Sequence, residues 1–255
     1  MKLASFDSPV VQLDASGSDG GRLLLVSTSR RTYVVDCVRA LYVAVGKKPR
    51  DAPLGACFVP TSSSSLSREG RPATTVFAVR PGRRLWEAEL DGRVTRTIQL
   101  PSGDLDAEKI VACLGDGDDG VRRGSEEPFL SCVVLEPRSG LVVGLSSYFV
   151  LLIRPENGHV LCAITTASSA TILDVEVHLG SICVQYRKVD GKTSSLARFD
   201  VRVPSRATDH GPPGYVVSAL ADRRDRYASG VVAPFSFLLS ITFALRVVCG
   251  TNLRG

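Results

Sequence analysis

RPGRRLWEAELDGRV, running from Arg80 to Val94, holds the only tryptophan of the chain, Trp86. The pair Asp91-Gly92 predicts a two-residue type I′ hairpin turn, because that turn needs φ > 0 at both central positions and Asp-Gly tolerates it. Counting back from the turn sets Leu90 opposite Arg93, Ala88 opposite Thr95 and Trp86 opposite Thr97. In the alternate positions Glu89 meets Val94, Glu87 meets Arg96 and Leu85 meets Ile98. Strand side chains alternate, so Trp86, Ala88 and Leu90 share one face. Glu87 and Arg96 then form a cross-strand ion pair, contributing about 0.2–1 kcal/mol. A ligand-stacking platform and a packing anchor are the two readings of Trp86. The spacing favours an anchor in the core between sheets, for which Trp86→Ala is expected to cost about 3–5 kcal/mol.

Outward from this hairpin the same texture continues. Apolar runs of strand length recur between turn residues: VVQL (10–13), RLLLVS (22–27), TYVVD (32–36), LYVAV (41–45), GACFV (55–59) and TTVFAV (74–79) precede or enter it. FLSCVVLE (129–136), GLVVGL (140–145), YFVLLI (148–153), HVLCAIT (159–165), ILDVEVHL (172–179), SICVQYR (181–187) and SLARFDVRV (195–203) follow. The chain from 10 to 203 has almost no sustained 3.6-residue periodicity, so it reads as all-β. Asn157-Gly158 and Asp190-Gly191 predict two more hairpins of the Asp91-Gly92 type. The strands group in sets of about four, over roughly 10–45, 54–100, 129–165 and 171–203. A unit of about 40 residues with four antiparallel strands is the pattern of a β-propeller blade. A β-sandwich also uses short strands but does not account for the fourfold grouping. The Gly-His and Trp-Asp marks of WD repeats are missing.

Two polar stretches interrupt the blades, 61–72 and 115–128, and both read as surface loops. After Val203 a linker-like segment, PSRATDHGPPG, leads to YVVSALADRRDRY, which fits a short helix or the last strand of a blade. Residues 227–245 are uncharged, close to the length that spans a bilayer, although Pro234 and several Ser/Thr residues weaken that reading. The expected division is therefore a partial propeller of about four blades over 8–203 and a non-propeller tail over 204–255.

Composition narrows the function. With 44% hydrophobic and 22% charged residues, the 255-residue chain can bury a core and is not of disordered composition. A net charge of +5 comes from scattered arginine pairs such as Arg83-Arg84 and Arg122-Arg123, with no long basic run and few aromatics between them. That argues against nucleic-acid binding. Seven cysteines never fall into CxxC, and the odd count excludes a complete disulfide set, as suits buried, reduced thiols of a cytosolic protein. The N-terminus has no apolar run long enough for a signal peptide.

Candidate chemistry is sparse. Asp116, Asp118 and Glu127 match three positions of an EF-hand loop, but Val121 stands where that loop needs glycine, so a solvated acidic loop is the better reading. His159, His178 and His210 are far apart, and His159 reads as a hairpin residue. Nucleotide, nucleophile-elbow and metalloprotease motifs are absent. No catalytic, cofactor-binding or metal-binding residue is assigned, no cofactor or small-molecule substrate is expected, and the chain is read as no enzyme.

VVQLDASGSDGGRLLLVSTSRRTYVVDCVRALYVAVGKKPRDAPLGACFVP, followed by VFAVRPGRRLWEAELDGRV, closely resembles the N-terminal β-propeller of the Hermansky–Pudlak syndrome 5 family. The marks are the VVQLD start, the LLVST and RTYVVD strand pair, the aspartate before Cys37, the RDAPLGACF segment and the Trp86 hairpin, where Val79 replaces an alanine. Beyond Leu100 the likeness is fainter. The resemblance implies a non-enzymatic scaffold within a three-subunit complex for lysosome-related organelle biogenesis and endosomal vesicle trafficking. It implies the companion subunits as partners and a cytoplasmic location peripheral to endosomal membranes. It carries over no catalytic or cofactor residue. Family members have blades before the VVQLD segment, so the chain is expected to be the second half of a propeller, with residues from about Ser229 outside the family sequence. Two alternatives stay open: a propeller tethered to a membrane through 227–245, and a propeller hydrolase with carboxylates converging on a central channel.

Overall fold

The computed structural model describes residues 6, 8–16, 21–49, 54–60, 74–100, 110–115, 130–167, 170–188, 193–202, 216–220 and 227–228. Every regular element among them is a β-strand. Asp116, Asp118, Glu127, His210, Cys249, Asp190-Gly191, the stretch 61–72 and nearly all of the apolar segment 227–245 lie outside the described residues. Among the described residues no helix is long and apolar enough to cross a membrane.

Four sheets form in chain order, arranged as propeller blades. The first runs β1 (Val10–Ala15), β2 (Leu23–Thr28), β3 (Thr32–Asp36), β4 (Leu41–Ala44), and the second β5 (Ala56–Pro60), β6 (Thr74–Arg80), β7 (Arg84–Ala88), β8 (Val94–Gln99). The third is β10 (Cys132–Glu136), β11 (Leu141–Leu145), β12 (Phe149–Ile153), β13 (Val160–Thr166), with β9 (Ile110–Leu114) added outside β13. The fourth is β14 (Ala170–His178), β15 (Ser181–Lys188), β16 (Thr193–Arg202), β17 (Val216–Leu220), and β18 (Tyr227–Ala228) also pairs with β16. All neighbours are antiparallel except β9, which runs parallel to β13 with Ile110 opposite Ala163 and Leu114 opposite Thr166. The all-β propeller reading and its fourfold grouping are borne out.

Two elements were not read as strands with certainty of place. β9 directly precedes the stretch 115–128 that was read as a surface loop. The ambiguous YVVSAL segment is a strand, β17, pairing Val217 with Val201 and Leu220 with Arg198. The fourth sheet therefore draws its outer strand from beyond Val203.

Sheets pack face to face, and the alternation within each strand decides which neighbour a residue meets. Leu25 and Val34 of the first sheet meet Ala56, Phe58, Val76, Ala78 and Ala88 of the second. The second sheet's other face, with Cys57, Phe77 and Leu85, meets Val133, Val142, Leu151 and Ile153 of the third. The third sheet's remaining face, with Val143, Val150 and Leu152, meets Ile182, Val184 and Phe199 of the fourth. β11 and β12 are thus covered on both faces and buried at every position. That explains why LVVGL and FVLLI do not alternate, whereas β8, half-covered, alternates exposed threonines with Ile98.

The hairpin at Arg80–Val94 keeps its expected register as far as Trp86 opposite Thr97 and Glu87 opposite Arg96. The ion pair between those two is present at 2.7 Å. The turn itself differs. Ala88 pairs with Val94 instead of Thr95, across a bulge. Glu89 N–H bonds the Arg93 carbonyl and Gly92 N–H the Glu89 carbonyl, both at 2.9 Å. Only Gly92, at φ 81°, is left-handed; Asp91 is not. This is a three-residue loop, a type I turn closed by a glycine bulge, not type I′. Asp91 acts through its carboxylate instead, accepting the Arg93 N–H at 2.8 Å. Asn157-Gly158 is not type I′ either: it ends a four-residue loop, with Gly158 N–H on the Arg154 carbonyl and Arg154 N–H on the His159 carbonyl.

Gly92 is also a point of close approach. A Cβ there would come within 2.3 Å of the Ala44 carbonyl oxygen, which is backbone and cannot swing away. Gly92→Ala is therefore expected to destabilise by about 2–3 kcal/mol, through the left-handed backbone and the clash together. A urea titration showing a shift under about 0.5 kcal/mol, the range of neutral surface changes, would contradict this contact.

Trp86 is an anchor between sheets, as expected, but not a fully buried one. It is half-buried, on the same face as Ala78 and Ala88, with its ring against Gly46 just after β4. The Arg80 guanidinium covers it at 3.9 Å from the ring centroid. The hairpin lies toward the rim, so one edge of the ring stays in water. The expected cost of Trp86→Ala falls to about 1–3 kcal/mol, the area lost plus a cation–π contact. Thermal melts of the variant measure it, and a loss above about 4 kcal/mol, the scale of deep core truncations, would restore the deeply buried reading.

Candidate functional site

The innermost strands β1, β5, β10 and β14 lie side by side, and each leaves one edge unpaired by its own sheet. The backbone N–H groups on that edge need partners. Side chains two residues apart on β1 supply them. Ala56 N–H donates to Gln12 Oε1 at 3.0 Å, and Phe58 N–H donates to Asp14 Oδ2 at 2.7 Å. Gln12 Nε2 reaches further, donating to the Val133 carbonyl at 2.9 Å, so one amide ties three blades.

Glu136, at the end of β10, does the same between the third and fourth sheets. It is 0% exposed. Its oxygens accept the N–H of Arg138 at 3.1 Å and of Ser139 at 2.6 Å within its own turn. They also accept the N–H of Gly180, in the β14–β15 turn, at 2.8 Å. Asp36, at the end of β3, holds an equivalent turn in the first blade. It accepts the N–H of Val38 and Arg39 at 3.0 Å each and pairs with Arg22 at 2.8 Å. Both turns place a left-handed residue four positions after the acid, Ala40 at φ 54° and Gly140 at φ 71°. An acid at the end of an apolar run, five residues before the leucine that opens the next, was the available sequence signal. Sequence reasoning did not use it.

Charge states follow from these environments. Protein packed around Asp14 desolvates its carboxyl and pushes it up to about 6, although the Phe58 and Ala15 N–H groups pull the other way. Burial also works to raise Glu136, but the hydrogen bonds from Ser139, Gly180 and Arg138 outweigh it and hold the carboxyl below the usual range. Asp36 is lowered to about 2, chiefly by Arg22 and then by the Arg39 N–H. Asp174 on β14 is raised by burial. Cys132 is pushed up to about 12 by burial, with the Asp174 and Asp14 charges adding to it, and Cys57 is raised well above its usual value by burial. Thiols so raised stay protonated and are poor nucleophiles.

The axis therefore gathers two acids and two thiols, but the carboxylate oxygens serve the backbone. Asp14 is bonded to Phe58 and Asp174 to its neighbour Val175 at 2.8 Å. Of the sequence candidates, His159 is exposed at the Asn157 turn. His178, at the end of β14, pairs with exposed Glu176 at 3.4 Å. Among the described residues no group of three or more His, Cys, Asp or Glu side chains is placed to hold a metal ion. No disulfide joins the described cysteines. The expectation of buried thiols holds for Cys57 and Cys162, is only partly met at Cys37, Cys132 and Cys183, and fails at Cys113, which is exposed on β9.

What the arrangement holds together is blades, each joined to the next by a side chain reading a neighbour's backbone. The BLOC-2 complex member HPS5 homolog of Drosophila melanogaster is 32% identical over 124 residues, 49% of this chain. BLOC-2 complex member HPS5 of Homo sapiens is 38% identical over 98 residues, 38% of this chain. The chain is similar in sequence to HPS5. The resemblance seen in the VVQLD and Trp86 segments is thereby borne out. The chain spans 14% and 8% of the lengths of these two relatives. Tectonin beta-propeller repeat-containing protein 2 of Homo sapiens is 36% identical over 95 residues, 36% of this chain and 6% of that protein. The beta-propeller repeats in that protein's name agree with the propeller arrangement of the sheets. No protein-family model matches the chain.

Proposed function

We propose that this chain is a non-enzymatic scaffold, a protein-interaction module of a BLOC-2-type complex that acts in lysosome-related organelle biogenesis and endosomal vesicle trafficking. The observation that carries the reading is the likeness to HPS5 subunits in two organisms, 32% and 38% identical. The fold supports it, since rigid blades present loops and edges to partners without needing a reaction centre. So does the chemistry of the axis, where buried carboxylates bind backbone N–H groups. The partners are the other subunits of that complex, and the location is the cytoplasm, at the surface of endosomal membranes.

Affinity-tagged chain expressed in animal cells tests this directly. Co-purification of the other BLOC-2 subunits, at levels above a tagged unrelated propeller, is the expected result. Their absence from the eluate, with the chain itself folded, would overturn the reading.

A further inference from the structure

The outer edges of the four sheets are finished differently. In the third sheet β9 covers β13. In the second, β8 ends the sheet with exposed threonines and with Arg96, as edges that avoid pairing usually do. β4 of the first sheet has neither device. Leu41, Tyr42 and Val43 stand 62%, 49% and 43% exposed, with no charge between Leu41 and Val45. The Val45 N–H bonds the Thr32 carbonyl at 2.8 Å. Alternation then turns the N–H of Val43 toward β3 and those of Tyr42 and Ala44 outward. Among the described residues no backbone partner meets the N–H or C=O of Tyr42 on that side.

We propose that the β4 edge is a docking site for an extended, acid-flanked strand of a partner protein, added to the first sheet as β9 is added to the third. Charge selects the occupant. Arg39 precedes the strand with its side chain 69% exposed, and exposed Lys47 and Lys48 follow it. Among the described carboxylates near this edge, Asp36 lies 3.9 Å from Arg39 but is held by Arg22 at 2.8 Å, Asp91 accepts the Arg93 N–H, and Glu89 pairs with the Arg93 side chain. An apolar strand with acidic residues at both ends satisfies the backbone and these cations together. A second copy of this chain does not, because symmetric antiparallel pairing of two β4 strands brings Arg39 of each alongside Lys47 of the other. Phe6, Tyr33 and Tyr42 add a side-chain contact on one face, with ring centroids 5.0–6.0 Å apart. The close approach of Gly92 to Ala44 limits the backbone pairing to the Arg39 side of Ala44, and the acids at that end meet Lys47 and Lys48 through their side chains alone.

This edge deepens the scaffold reading and rests on it only in that the chain binds a protein at all. The test uses the full chain and two fluorescein-labelled peptides, DEVTVYVDE and KKVTVYVKK, followed by fluorescence anisotropy. Saturable binding of the acidic peptide alone is expected. Tyr42→Pro removes the outward N–H without touching the β3 ladder and is expected to weaken binding about tenfold or more relative to Tyr42→Val, which keeps it. The paired change Lys47→Glu and Lys48→Glu is expected to shift the preference toward the basic peptide, independently of how Tyr42→Pro folds. Equal binding of both peptides, or unchanged affinity in a folded Tyr42→Pro, overturns the proposal. A dimer in light scattering that Tyr42→Pro abolishes overturns it in favour of a second copy. Co-purification of BLOC-2 subunits without peptide binding sinks the edge and spares the scaffold; peptide binding without co-purification does the reverse.

Discussion

Glu136→Ala is expected to lower the unfolding free energy by about 2–4 kcal/mol. The change strands the N–H groups of Arg138, Ser139 and Gly180, which now end on the fully buried carboxylate. The Gly180 bond is buried and the other two are part-buried; a buried donor left without an acceptor costs about 1–3 kcal/mol, and one that water can reach costs less. Two of these donors hold the β10–β11 turn and the third belongs to the next blade, so the loss falls on the seam between the third and fourth sheets. Urea denaturation monitored by tryptophan fluorescence and by circular dichroism measures it. Glu136→Gln, which keeps two sites but exchanges an acceptor for a donor, should fall between alanine and the parent. A Glu136→Ala chain as stable as the parent would mean that the seam is held by apolar packing alone.

Asp14 is expected to respond in the opposite sense, and the sign follows from its raised pKa. A carboxyl that titrates near 6 when folded, against 3.8 for an unperturbed group, binds its proton more tightly in the native state. Its contribution to stability is therefore greatest below about pH 4, declines as pH rises toward 6, and is flat above. A shift of about two units corresponds to about 2–3 kcal/mol. Asp14→Asn keeps an oxygen for the Phe58 N–H and carries no charge. It is expected to abolish that decline and to be more stable than the parent at pH 7 by about 2 kcal/mol. Glu136, lowered on folding, works the other way and loses its contribution only in acid, as pH falls through its folded pKa, so parent and variant must be compared at each pH. Denaturation midpoints from pH 4 to 8 that run parallel for the two chains would rule out a desolvated Asp14.

Most of the strand pattern was legible in the residues. The period-2 alternation in VTRTIQ and the unbroken apolar LVVGL and FVLLI each announce how many faces a strand has covered, and the Glu87–Arg96 pair follows from counting along one hairpin. Turn type was not legible. Asp91-Gly92 is compatible with type I′ and with a type I turn plus bulge, and the choice between them depends on how the loop docks against Ala44 in another blade. β9 was missed for a related reason: a parallel partner on an outer edge leaves no hairpin signal in the chain between.

The axial contacts were hidden further still. Gln12 to Ala56, Asp14 to Phe58 and Glu136 to Gly180 each join residues 44 apart, close to the recurring unit of about 40 residues, so the spacing was present but its meaning was not. The sequence alone determined that this protein is built of short antiparallel β-units in sets of four, because hydrophobic alternation and turn chemistry are local and act wherever the chain is. Only the tertiary structure decided which buried carboxylates bind which backbone, how deeply Trp86 sits and which edge is left open. Those depend on desolvation and approach between blades, and no local pattern encodes either.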